Sequence, residues 1–240
     1  MPRLEQLQKD LKKNADKSQA AILQRFFKTG PGQYGAGDVF LGLRVPLQRQ
    51  IASQYIDLSY PELKELLVDI IHEFRLVALL ILVQKYQKAP TLKEKKLVVD
   101  FYLSHSKRIN NWDLVDLSAP KILGDYLVQS KRGFSLLLKM ATSDNLWEKR
   151  IAMVSTYAFI LAGDDSVTFS VAQKLLKDRH DLIHKAVGWM LREAGKRVSE
   201  EALLKFLDDN INHLPRTTLR YAIERLTLTQ RQDYLHRSLL

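Results

Sequence analysis

Five side chains in this sequence stand at spacings that could support chemistry. Asp116 follows Trp112 by four residues, which puts both on one face if the segment is helical. Trp189 follows Lys185 by the same interval, and Arg150 lies between the two pairs. A carboxylate carries negative charge and an indole presents a negative face, so both favour a cation, whereas a guanidinium favours an anion. Each also has a plainer reading when taken singly. A tryptophan is as readily packing as function, and an aspartate inside a helix is commonly solvated or ion-paired. Their recurrence at matching places of a repeat is what makes them a candidate site.

The elements that must position them read as helices. Apolar residues recur at helical spacing in nearly every segment, and strand-like alternation is scarce. Leu63, Leu66, Leu67 and Ile70 follow a capping Ser59 with Pro61 near the first turn. A polar break at Lys177 to Asp181 separates Leu175 and Leu176 from Ile183, Val187 and Leu191. A weak repeat runs through these helices, with Arg75, Trp112, Arg150, Lys185 and Arg220 expected at successive helix starts, 37, 38, 35 and 35 residues apart. Paired helices of this length cannot bury their apolar stripes alone, so the expectation is an all-α chain stacked as an α-α superhelix, or solenoid, in one domain spanning 1–240, with a non-repeating helical bundle as the alternative. Equivalent first turns would then line one concave face. Four cations and a tryptophan on helix amino termini suit the phosphates of a duplex.

Composition is consistent with that face. Lys and Arg number 37 against 27 Asp and Glu, a formal charge of +10, which favours a polyanion but also fits a merely soluble basic surface. The absence of cysteine excludes disulfides, thiolate metal sites and cysteine nucleophiles. The longest apolar run, Leu76 to Val83, is far short of the ~20 residues a membrane span needs. The amino-terminal residues carry no secretory signal, so a cytoplasmic location is the expectation.

Two motifs read as decoys. Gly30-Pro31-Gly32-Gln33-Tyr34-Gly35 matches G-x-G-x-x-G but follows a helical segment, not a strand. His180 and His184 echo a zinc helix, with Asp181 where a glutamate would follow the first histidine and no evident third ligand. No metal and no cofactor are expected.

Four ordered blocks bring a resemblance. Phe40-Leu41-Gly42-Leu43-Arg44-Val45-Pro46 comes first, then Asn111-Trp112-Asp113-Leu114-Val115-Asp116 with Gly124-Asp125 downstream. Trp147-Glu148-Lys149-Arg150-Ile151-Ala152 and Lys185-Ala186-Val187-Gly188-Trp189-Met190-Leu191-Arg192-Glu193 complete the set. Together they resemble the AlkD-like DNA alkylation repair family, whose members are DNA glycosylases built of HEAT-like repeats. The resemblance implies Asp116, not Asp113, as catalytic carboxylate, with Trp112 and Trp189 as aromatic walls and Arg150 on a phosphate. Tyr34 would stand near the lesion, while Lys185, Arg75 and Arg220 would join Arg150 along the DNA. The implied partner is double-stranded DNA containing alkylated bases, met by a monomer in the cytoplasm and at the nucleoid. A non-catalytic DNA-binding paralogue and a protein-binding repeat scaffold are the competing readings.

Overall fold

A computed structural model describes residues 2–237. Helix accounts for 72% of it, and it contains no strand among the described residues; one isolated parallel bridge joins Val39 and Ile71. The chain divides into two compact units, 1–118 and 119–240.

The first unit holds α1 (Arg3–Lys13), α2 (Lys17–Phe26), α3 (Val45–Ser53), α4 (Tyr60–Val68), α5 (His72–Lys88), α6 (Leu92–Ser104) and α7 (Trp112–Ala119), the last reaching the unit boundary. Helix α5 is its centre, because every residue from His72 to Val83 is buried and α1, α3, α4 and α6 pack around it. A helix apolar on all sides must be enclosed. Starts are well marked. Asp16 accepts the N–H groups of Ser18 and Gln19 at 2.9 and 3.1 Å, and Ser59 forms a capping box with Glu62 as its sequence suggests. Helix α2 buries no residue fully and leaves Ile22 and Phe26 exposed.

The second unit holds α8 (Asp125–Ser130), α9 (Ser135–Ala141), α10 (Leu146–Ser155), α11 (Tyr157–Leu161), α12 (Ser166–Leu175), α13 (Asp181–Arg197), α14 (Glu200–Asn210), α15 (Arg216–Ala222) and α16 (Leu228–Arg237). Helix α13 takes the central place, packed by α10, α11, α12, α14 and α15. Gly188 permits its closest approach: a Cβ there would stand 2.5 Å from the Thr218 carbonyl oxygen on α15. Residues Pro120–Gly124, ahead of α8, form a π-helical turn. Pro120 lacks an N–H and its ring crowds the preceding turn, and the wider helix relieves that crowding. Among the described residues no helix is long and apolar enough to cross a membrane.

The helix starts differ from the sequence expectation. The first backbone bonds of four helices run from Val115, Lys149, His184 and Leu219 to the carbonyls of residues 111, 145, 180 and 215. The fifth helical position is therefore Asp116, Arg150, Lys185 and Arg220 in turn, at spacings of 34, 35 and 35 residues. Trp112 occupies a first position, and Trp189 a ninth, one turn beyond the place expected for it. Arg75 is the fourth residue of α5 and so lies about 100° around the helix from the series.

Candidate functional site

The Trp112–Asp116 pair sits in the first unit on α7, and an aromatic cluster surrounds its indole. Phe27 stacks on Trp112 with ring centroids 5.1 Å apart and planes at 19°, and Phe26 meets it edge-on at 5.9 Å. Phe40 stacks in turn on Phe27 at 5.1 Å and on the imidazole of His72 at 4.5 Å. The indole Nε1–H of Trp112 donates to the hydroxyl of Tyr34 at 3.3 Å. Tyr34 belongs to the glycine-rich loop after α2, where Gly32 and Gly37 have φ of 74° and 89°, so the near-match to a nucleotide fingerprint is a loop of left-handed turns. Offset stacking of this kind contributes ~0.5–1.5 kcal/mol per pair beyond burial and fixes ring orientation.

Beneath the aromatic layer lies a charged one. His72 is buried with Nε2 2.7 Å from Asp113 Oδ2 and Nδ1 3.3 Å from Asp38 Oδ2. Arg75 Nη2 reaches the same Asp38 oxygen at 2.5 Å. Burial alone would strip the charge from His72, but Asp113 and Asp38 outweigh it and hold the imidazole above its usual range. Burial would likewise raise Asp38, yet the bond from His72 and the charge of Arg75 keep it below the usual carboxylate range. Glu73 forms a further clasp. Its carboxylate accepts the backbone N–H groups of Leu41, Gly42 and Leu43 at 2.9, 2.8 and 3.2 Å. That clasp explains the Phe40–Pro46 block: Gly42, at φ 90°, turns the chain so that three amides converge on one buried acid.

Asp116 is half-buried one turn beyond Trp112. Its charge reaches the buried hydroxyl of Tyr102, which burial first and Asp116 further push well above the usual phenol range. Tyr102 and Ser118 share a hydrogen bond of 3.0 Å, and Ser118 donates to the Leu114 carbonyl at 2.6 Å, bracing the far side of α7. A cavity of about 350 Å³ opens in the same unit, lined among others by Phe26, Phe27, Phe40, Leu43, His72 and Asp113.

Arg75 corrects the expected track of cations. It is buried, 4% exposed, and spends its guanidinium on Asp38 and on Asn110 at 2.5 Å. One step out of register turns the side chain inward, where an unpaired cation would cost several kcal/mol.

The remaining residues lie in the second unit. Arg150 is buried on α10 and its Nη1 donates to the Leu182 carbonyl at 2.6 Å. Lys185 is half-buried and pairs with Asp181 at 2.7 Å, while Arg220 is exposed. Trp189 is half-buried beside Tyr157, ring centroids 6.5 Å apart, and Arg197 lies over that tyrosine at 5.6 Å. The histidine pair serves the backbone: His180 accepts the N–H of Leu182, and His184 Nε2 bonds the Asp178 carbonyl. No group of three or more His, Cys, Asp or Glu among the described residues could hold a metal.

Sequence reasoning missed Phe26, Phe27, Asp38 and His72. Consecutive phenylalanines at a helix end directly before a glycine-rich loop were the available signal for the first two. A lone histidine and a lone aspartate in separate segments gave none.

The fold is similar to that of a chain described as a predicted DNA alkylation repair enzyme from Enterococcus faecalis. The TM-score is 0.69 at 16% identity, covering 89% of this chain and 97% of that one. No curated protein matches the chain. The family model for DNA alkylation repair enzyme matches residues 7–226, across both compact units. The chain belongs to the DNA alkylation repair enzyme family.

Proposed function

We propose that this chain is a monofunctional DNA glycosylase that hydrolyses the N-glycosidic bond of positively charged N3- and N7-alkylated purines in duplex DNA, opening base excision repair. The observation that carries the reading is the place of Asp116. In a chain of this repair family, it stands one turn from an indole whose ring is fixed by Phe27 and Tyr34, on a helix anchored at its first turn.

Alkylation leaves the purine positively charged and the glycosidic bond weak. As that bond breaks, its electron pair neutralises the base and positive charge builds on the deoxyribose. The Asp116 carboxylate stabilises this cation and orients the water that adds to the sugar carbon, whose proton it accepts or passes to solvent. An indole face adds cation–π stabilisation, a role proposed for the side of Trp112 away from Phe27 and, separately, for Trp189. A charged base leaves unaided, so one carboxylate suffices where a carbohydrate hydrolase needs two.

In this reading Lys185 and Arg220 meet backbone phosphates. Arg150 does so as well, and Tyr34 stands close to the lesion. The whole chain works as one repair domain, as a monomer, in the cytoplasm where the nucleoid lies.

The deciding experiment is release of 7-methylguanine from methylated duplex DNA by the wild type and by Asp116→Asn. Release by the first and its loss in the second, at equal duplex affinity, is the expected result. Tight duplex binding with no release from any cationic lesion would replace this reading with that of a DNA-binding paralogue.

A further inference from the structure

His72 is a buried histidine to which the proposed chemistry gives no part, yet it lies at the centre of the contacts that hold α7. Both ring nitrogens of His72 face carboxylate oxygens, Asp113 at 2.7 Å and Asp38 at 3.3 Å, a pair that an imidazolium serves by donating from each. Arg75 Nη2 also stands 3.4 Å from Nδ1, drawn there by the same Asp38 oxygen. The other oxygen of Asp113 accepts the N–H of Leu114 at 2.8 Å. Asn111 accepts the N–H of Trp112 at 2.8 Å and donates to Asp38 at 3.5 Å, while Asn110 accepts from Arg75 at 2.5 Å. Residues 110, 111 and 113, on either side of Trp112, are thus all gripped by Asp38, His72 and Arg75. These three residues and Asp113 are the charged groups of the cluster. The acidic neighbour of His72, Glu73, is turned to the backbone of residues 41–43, and the faces of the imidazole meet Phe27 and Phe40.

We propose that His72 is a positioning residue for base release: by bridging Asp38 and Asp113 it fixes the first turn of α7, and through that turn the orientation of Trp112 and the place of Asp116. The inference rests on the glycosylase reading. A helix transmits a tilt of its first turn to the next, and misplacing a catalytic group by ~1 Å can cost about a hundredfold in rate. When His72 loses its proton, Asp38 and Asp113 lose the cation between them and the turn loosens.

The test uses the full chain on a duplex carrying one cationic alkylpurine, at saturating protein and in single turnover. His72→Gln carries no charge and has both its donors on a single nitrogen, so it cannot replace an imidazolium whose two ring nitrogens each face a carboxylate. Its rate should fall about 10- to 100-fold while duplex affinity stays within twofold. The wild-type rate should fall as pH rises through the titration of His72, and that limb should be missing in His72→Gln. Asp113→Asn keeps an oxygen acceptor, should lose the same limb, and carries the test if His72→Gln does not fold. A rate within twofold of wild type, or parallel losses of rate and affinity, would overturn the proposal. The indole N–H resonance of Trp112 gives a readout independent of activity. It should move with the His72 titration in wild type and stand still in the variant. If the wild type releases no base, the functional reading fails and this resonance alone decides: indifference to pH in the wild type would overturn the positioning role.

Discussion

Asp113 and Asp116 are three residues apart on one helix, yet their surroundings divide their work. Asp113 is bonded to His72 and to the backbone of α7, while Asp116 stands beyond it, half-buried. Asp116→Asn is expected to lower base release by ~3 kcal/mol of transition-state stabilisation, about a hundredfold, with fold and duplex binding retained. Asp113→Asn should cost less, because it disturbs placement and not the reacting charge. Single-turnover rates of both variants check the order, and the reverse ranking would show that the motif has been misregistered. The charged layer also sets how stability depends on pH. His72 titrates above its ordinary value, so its contribution is complete below ~6.5 and is lost as pH rises through the folded value. Asp38 titrates below its ordinary value, so its contribution is present above ~3.9 and lost as pH falls through the folded value. Thermal midpoints across pH should therefore decline on the alkaline side in wild type and lie flatter there in His72→Gln. The Trp112–Asp116 pair was legible because four residues is a helical repeat. Phe27, Asp38 and His72 were not, because three separate segments bring them to the indole.

At the scale of elements, the type of structure was easier to read than its phase. Apolar spacing marks the helices, and Ser59 caps α4 as its sequence suggests. Helix starts were placed a turn late at Arg150, Lys185 and Arg220, because the cap, not the first conspicuous cation, begins the helix. That one-turn error left the spacing among those three intact. It put Trp112 where Asp116 belongs, and it concealed that Arg75 sits on a different face. The Phe40–Pro46 block was visible as a motif but not as a mechanism, since its partner Glu73 lies some thirty residues away. Glu73→Gln would turn an amide N–H toward backbone donors. It should destabilise the first unit by about 2 kcal/mol, read from chemical denaturation. Gly188→Ala tests the second unit. Its new methyl meets the Thr218 carbonyl and Tyr221, so α13 and α15 must separate at a cost of ~1–3 kcal/mol in the same measurement.

For the whole molecule, the excess of ten positive charges makes duplex affinity a steep function of salt under the proposed function. Arg220→Ala should reduce the salt slope by about one, since that side chain is exposed on α15. Arg75→Ala should leave the slope unchanged and lower the unfolding midpoint, since its partner is Asp38. Binding isotherms from low to physiological salt distinguish the two, and insensitivity to salt would favour a scaffold. If base release runs on one carboxylate with no general acid, as proposed, cationic lesions should be released, and uracil or hypoxanthine should not.

The fifth helical position has a further implication. It carries Arg150, Lys185 and Arg220 in three helices and a carboxylate in the fourth. Under the proposed function a cationic repeat of this kind would serve as a DNA holder, and a reversed sign at one recurring slot would supply the charge that base release needs. The distance from ligand to catalyst would then be a single codon. Asp116→Lys should make the crossing in the other direction, giving a protein that grips methylated duplex more tightly than wild type and never lets the base go.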